Sequence, residues 1–169
     1  DQTMPKRCGH LDGKVLISAS EMAGKLHAAA DARASDTTLI IARTDAIAVE
    51  GFEAACDRAE LYIEAGADLL FIEAPQDRTQ LEEISNRFSG RIPLMANMVE
   101  GGKTPIHGIA DLQTLGYSLV IFPGGVVRAL AKTASDYYRA LILNGSNDSF
   151  RDRMYDFDGL NDVIKTHSI

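Results

Sequence analysis

The 169-residue chain is poor in positive charge, long apolar runs and cysteine. Lys plus Arg is 17 against 24 for Asp plus Glu, a formal net charge of −7. That sign repels a phosphate backbone and argues against a nucleic-acid partner, while a small cationic cleft for an anionic substrate stays compatible with it. No apolar stretch approaches the roughly 18 residues that span a membrane. The first residues do not have the basic start and apolar stretch of a signal peptide. Cys8 and Cys56 are the only cysteines. Two thiols without a secretory signal point to a reducing compartment, the cytoplasm, and to free thiols. The sequons at Asn144 and Asn147 carry no weight there. Nor is there an initiator methionine. The chain opens Asp1-Gln2-Thr3-Met4 and runs at once into a charged loop, so residues upstream are expected.

What is present is the balance of a globular core, 46% hydrophobic and 24% charged. Four short apolar runs stand out at Leu39–Ala42, Leu69–Ile72, Pro93–Ala96 and Leu119–Phe122. Their nearly continuous apolar character predicts strands buried on both faces of a parallel sheet. Between them lie helical stripes: Met22, Leu26, Ala29 and Ala30; Phe52, Ala55, Cys56, Ala59 and Tyr62; Leu81, Ile84 and Phe88; Ile109, Leu112 and Leu115; and Val126, Leu130, Ala134, Tyr137 and Leu141. Ser18 with Glu21 forms a capping box for the first. Gly66, Gly116 and Gly145 stand where helix ends want a left-handed residue. Strict alternation of helix and strand predicts right-handed βαβ units. A repeat of ~25 residues is that of a (β/α)8 barrel, whose eight units need ~250 residues. The α/β fold class expected is therefore the C-terminal half of such a barrel. It is read as one domain over 1–169, with a catalytic loop at 1–14 and a C-terminal extension at 146–169.

The strand ends carry the chemistry. Each run stops at polar residues: Arg43-Thr44-Asp45, then Glu73, then Asn97. In barrels the site lies at the C-terminal ends of the strands. Alternation puts Arg43 and Asp45 on one side, and an inward Arg, Glu and Asn at one mouth suit an anionic substrate and a hard cation. In Lys6-Arg7-Cys8-Gly9-His10 a thiol stands among cations, which favours the thiolate, and Gly9 and Gly13 allow the segment to close as a lid. Spacing alone leaves a reactive thiol and an incidental cysteine in a solvated basic loop equally open. A Cys-x-His metal pair finds no further ligands to complete it. Gly101-Gly102-Lys103-Thr104 fails as a P-loop because its first glycine would fall at Asn97. Cys56 reads as core. His27, His107 and His167 read as surface or packing residues.

Pro5–His10, Ile41-Ala42-Arg43-Thr44-Asp45-Ala46 and Asn97–Pro105 together resemble the isocitrate lyase / phosphoenolpyruvate mutase superfamily, in its lyase branch. The resemblance covers nearly the whole chain and keeps the motif order. It implies a Mg²⁺-dependent barrel, with Mn²⁺ able to serve in its place, and a homo-tetramer with a swapped C-terminal helix. The implied reaction cleaves a 2-hydroxy acid to pyruvate and a small carboxylate. Cys8 would be the general acid, tuned by Lys6 and His10. Gly9 would offer its amide to substrate, and Arg43 would bind a carboxylate and steady developing charge. Glu73 would sit near the metal through water. Asn97 and Arg128 would hold substrate carboxylates. The direct metal ligands, including a Glu just before Asp1, are expected upstream. Val99 replaces a usual Thr, and Phe157 stands near a usual Arg. Both changes favour a smaller, less polar 2-alkylmalate (2,3-dimethylmalate type) over the tricarboxylate methylisocitrate. Oxaloacetate hydrolysis or decarboxylation, phosphonate mutase action, and a non-catalytic half-barrel are the alternatives.

Overall fold

The computed structural model describes residues 1–9, 11–105 and 108–166. It divides into two units, Asp1–Pro123 and Gly124–Ile169.

In the first unit helix and strand alternate as the periodicity predicts. Helix α1 (Ala19–Ala32) leads to β1 (Ile41–Thr44), a 3-10 turn (Ala46–Ala48) and α2 (Phe52–Glu64). Then come β2 (Leu69–Ile72), α3 (Arg78–Phe88), β3 (Met95–Asn97), α4 (Ile109–Thr114) and β4 (Leu119–Ile121). The boundaries have local causes. Ser18 accepts the Glu21 amide at 3.1 Å, and Asp77 accepts that of Gln80 at 2.9 Å. The Glu21 carboxylate itself pairs with Lys25 at 3.1 Å. Gly116 ends α4 with φ +95°, and a Cβ there would stand 2.9 Å from Ser85 Oγ. Conformation and space both demand glycine.

All strand pairs are parallel. Ile41–Thr44 lie opposite Leu69–Ile72, and Met95–Asn97 opposite Leu119–Ile121. A parallel bridge between Leu70 and Leu94 joins the two pairs. The strand order is therefore β1-β2-β3-β4. Burial on both faces holds for β2, whose four residues are all buried. It does not hold for β1 or β4: Ile41 is 45% and Leu119 39% exposed. Among the described residues each of these strands pairs with a single neighbouring strand. β1 also starts later than its apolar run, because Leu39 is exposed and the ladder continues through Arg43 and Thr44.

The core lies between sheet and helices around Tyr62, Phe88, Leu70, Leu81, Ile84 and Leu94, each no more than 2% exposed. Ion pairs tie neighbouring elements together: Arg87–Glu53 links α2 to α3, Arg91–Glu60 links α2 to the turn after α3, and Arg78–Asp111 links α3 to α4. They are solvent-exposed, so each contributes at most about 1 kcal/mol.

Residues 1–3 run antiparallel to 15–17, with Thr3 N to Val15 O at 2.8 Å and Ile17 N to Asp1 O at 2.9 Å. This pairing closes the base of the loop between them. The Asp1 carboxylate is fully buried. It accepts from Thr44 Oγ1 (2.7 Å), Tyr62 OH (2.9 Å), the Asp45 amide (3.0 Å) and Arg58 Nη1 (3.4 Å). One carboxylate thereby fastens the loop base to β1 and α2.

In the second unit, α5 (Gly125–Asn144) ends at Gly145 with φ +65° and is followed by a 3-10 segment (Asp148–Arg153) and α6 (Phe157–Ile164). Phe150 is buried, edge-on to Tyr137 at 5.5 Å and under Arg153 at 4.3 Å. The stripe predicted to bury α5 does not: no α5 residue is buried, and Val126 and Leu130 are more than 60% exposed. The apolar face of α6 is open as well, with Phe157 84% exposed. Among the described residues no helix is long and apolar enough to cross a membrane.

Tyr62→Phe in the full-length protein leaves the Asp1 carboxylate short of one donor and should cost about 1.5–3 kcal/mol. Arg91→Ala, at an exposed pair, should cost no more than about 1 kcal/mol. Urea midpoints at unchanged m-value measure both, and equal shifts would contradict the role assigned to Asp1.

Candidate active site

Three neighbouring strands deliver their polar ends to one place. At the end of β1, Arg43 grips Asp45 with both arms of its guanidinium, Nε to Oδ2 and Nη2 to Oδ1, each at 3.0 Å. The same guanidinium lies 4.8 Å from the centre of the Phe71 ring, its register partner on β2. Its Nη2 is also 3.5 Å from Glu73 Oε2. Glu73 follows β2 and is 1% exposed. Asn97 ends β3 and donates through Nδ2 to both Glu73 oxygens at 3.3 Å. The expected trio of Arg43, Glu73 and Asn97 is thus assembled.

The opening loop reaches this trio through Gly9. A Cβ on Gly9 would stand 2.4 Å from Glu73 Cγ and 2.7 Å from Arg43 Nη2. No other residue type fits without displacing the strand-end side chains. Cys8, beside Gly9, is exposed and close enough for its charge to favour the protonated Arg43. Burial works against the charge on Arg43, and the hydrogen bonds to Asp45 with the charges of Glu73, Asp45 and Cys8 more than offset it. Burial likewise raises the Asp45 carboxyl, but bonds from Arg43 and Gln2 outweigh it and hold it below the usual carboxylate range.

Lys6 and Arg7 are exposed and line, with Arg43 and Asp45, a cleft of about 360 Å³. Asp45 offsets Arg43 and leaves the two loop cations to set the sign of the cleft. A cleft of that size and sign suits a small anion. Gln2 is a component that sequence reading missed. Its side-chain amide accepts from Arg7 N at 2.8 Å and donates to Arg7 O at 2.9 Å, as a neighbouring strand would. Lys14 is another: it is buried and bonded to the loop's carbonyls. The burial of both rests on contacts that no local pattern encodes.

Other expected residues fall elsewhere. The amide of Asn97 is turned to Glu73, and its Oδ1 is buried without a partner. It lines a small enclosed cavity with Ile72, Met98 and Thr104. Val99 is half-buried in a turn where its carbonyl accepts from Gly102 N at 2.9 Å. Arg128 lies in the first turn of α5 and Phe157 at the start of α6, both in the second unit. His27 is exposed. His10, His107 and His167 lie outside the described residues. Cys56 is core, and burial raises its thiol to about 11.

A metal ion finds no complete site here. Among the described residues no three Asp, Glu, His or Cys side chains converge, and the Glu73 carboxylate is already engaged by Asn97 and Arg43. The described residues do not by themselves fit a divalent cation.

Comparison with known proteins finds one family model, phosphoenolpyruvate phosphomutase, matching residues 4–142. A 2-methylisocitrate lyase of Aeropyrum pernix is 44% identical over 167 residues, covering 99% of this chain and 53% of that protein. A 2,3-dimethylmalate lyase of Eubacterium barkeri is 38% identical over 169 residues, covering all of this chain and 58% of that protein. The chain spans little more than half the length of these relatives. Among solved structures, a crystal structure of 2,3-dimethylmalate lyase superposes with a TM-score of 0.83 at 29% identity, covering 98% of this chain and 57% of that one. Oxaloacetate acetylhydrolase in complex with 3,3-difluorooxalacetate superposes with a TM-score of 0.85 at 25% identity, covering 99% and 58%.

Iodoacetamide at pH 8 should label Cys8 in the native protein and reach Cys56 only after unfolding, because one thiol is exposed and the other buried with a raised pKa. Peptide mapping of the alkylated protein checks this. Native labelling of Cys56 at the rate of Cys8 would refute the burial of α2.

Proposed function

This chain belongs to the phosphoenolpyruvate phosphomutase family, and we propose that the protein carrying it is a carbon–carbon lyase that cleaves a small 2-hydroxy dicarboxylate or tricarboxylate to pyruvate and a second carboxylate. The observation that carries the reading is the seating of Gly9 on Arg43 and Glu73. It brings the cysteine loop to the strand ends, where a substrate would lie. The lyase relatives, 38% and 44% identical, support the same class of reaction. Their barrel architecture is part of the proposal, with β1–β4 as four of its eight strands.

In this reading the cationic cleft draws in the substrate and Arg43 binds a carboxylate. As the bond between C2 and C3 breaks, the 2-hydroxyl gives its proton to solvent water and becomes the carbonyl of pyruvate. The bond pair passes to the departing carboxylate, whose charge Arg43 and the Gly9 amide steady. Cys8 then gives its proton to the carbon that left, with Lys6 and His10 tuning the thiol. Glu73 stands as a fixed negative charge behind Arg43 and keeps it aimed at the mouth. A Mg²⁺ ion, or Mn²⁺ in its place, belongs to the reading, with direct ligands drawn from residues outside this chain. Val99 and Phe157, apolar where a tricarboxylate would need polar partners, favour a 2-alkylmalate of the 2,3-dimethylmalate type. The exposed apolar face of α6 supports a homo-tetramer that exchanges this helix. A cytoplasmic enzyme fits the two free thiols.

Pyruvate release with Mg²⁺ is expected from 2,3-dimethylmalate, and more weakly from methylisocitrate. Absence of pyruvate from the full-length protein on every member of such a panel would overturn the lyase reading. Cys8→Ser should lower lyase turnover by about 10²- to 10⁴-fold, the usual contribution of a general acid. Oxaloacetate cleavage is the second reading, favoured by the superposition on the acetylhydrolase. Oxaloacetate decarboxylation that survives Cys8→Ser, alongside no lyase turnover, would select it. Gly9→Ala forces the loop off Glu73 and should cost turnover about 10²-fold, the scale of a 1 Å misplacement.

A further inference from the structure

Lys14 is 8% exposed, and lysine is seldom buried without a countercharge. Among the described residues no carboxylate forms a close ion pair with it, the charge of Asp12 acting from farther off. Its ammonium donates instead to two main-chain carbonyls, Gly9 O and Leu11 O, both at 2.6 Å. Leu11 N donates to Cys8 O at 3.0 Å, so the ammonium and this bond hold the same short stretch of main chain. Charge-assisted bonds of this length are the strong kind. The peptide gripped at Gly9 belongs to the residue that touches Glu73 and Arg43. Among the described residues the other side-chain restraints fall on Arg7 and Asp12, which are linked by Arg7 Nη1 donating to Asp12 O at 3.4 Å. Gln2 pairs with Arg7, and Lys103 meets Asp12 at 3.0 Å on the surface.

We propose that Lys14 is a positioning residue: its buried ammonium ties the Gly9 and Leu11 carbonyls to one point and holds Gly9 against Arg43 and Glu73, so that the Cys8 thiol is presented over the strand ends. What the loop does there rests on the lyase reading; how it is held does not. An ammonium suits the task because its three donors can meet two carbonyls from one point. A neutral side chain of similar length would fill the space and leave both carbonyls unbonded. Arginine would keep the charge but spread its donors over a plane.

The test compares Lys14→Met, Lys14→Arg and the unaltered full-length protein by amide hydrogen exchange and by steady-state kinetics. Lys14→Met should speed exchange at the Leu11 amide by about tenfold or more, as the loss of a charged hydrogen bond implies. Exchange in α2 and α3 should stay unchanged. Its kcat should fall about 10²-fold with a smaller change in KM, and Lys14→Arg should recover part of both effects. Faster exchange confined to the loop, in a protein that turns over no tested substrate even unaltered, would uphold the role of Lys14 and refute the lyase reading. Unchanged loop exchange in Lys14→Met would overturn the proposal. So would faster exchange spread through α2 and α3, or global unfolding of Lys14→Met, since Lys14 would then serve the fold at large.

Discussion

A carboxylate that is 1% exposed has to find its donors inside the protein, and Glu73 finds them on both neighbouring strands. Asn97 donates from β3 and Arg43 approaches from β1. The buried charge therefore fixes how three strand ends stand relative to one another. A slip of any of these strands would strand a negative charge in the core, at a cost of several kcal/mol. The register of the sheet and the geometry of the mouth follow from the same constraint. Gly9 completes it. The space above Glu73 and Arg43 admits a bare backbone and nothing larger, so the cysteine loop can come down on the strand ends only at that residue.

Two buried carboxylates divide the labour. The Asp1 carboxylate is saturated: a hydroxyl, a phenol, an amide and a guanidinium surround it. Its effect is to anchor the base of the loop to β1 and α2. Glu73 is held by longer contacts, of 3.3 Å and 3.5 Å, beside the residues that line the mouth. A tight network suits fastening. A looser one leaves Arg43 able to exchange part of its bonding for a substrate carboxylate without uncovering Glu73, since Asn97 stays behind.

Much of this was legible in the sequence because it rests on short-range rules. The helices follow from apolar spacing, and their ends from Ser18, Gly116 and Gly145, where capping and left-handed geometry leave little choice. Arg43, Glu73 and Asn97 were readable because each interrupts an apolar run at its C-terminal end. What the sequence concealed depends on partners far along the chain. Asp1, Gln2 and Lys14 look like solvated charge and polarity in a loop, and their burial is decided by Thr44, Tyr62 and the loop's own carbonyls. The exposure of Ile41, Leu119 and the α5 stripe was hidden for the converse reason. An apolar pattern states that a face seeks cover and says nothing of what covers it.

The charge of the mouth runs opposite to that of the chain. A net of −7 argues against polyanionic partners, but the acidic side chains nearest the cleft are already committed. Asp45 is bound to Arg43, Asp1 is sealed in its network and Glu73 lies beneath Asn97. Lys6 and Arg7 keep their charge facing solvent, and Lys14 binds the carbonyl of Gly9, next to Cys8. Neutralising the acids within the protein turns a chain that repels anions at long range into one that accepts a small anion at short range. At physiological salt the long-range field is screened within about 8 Å. The local arrangement therefore governs what enters, and a thiol set among unneutralised cations meets an anionic substrate at the point where charge builds up during bond cleavage.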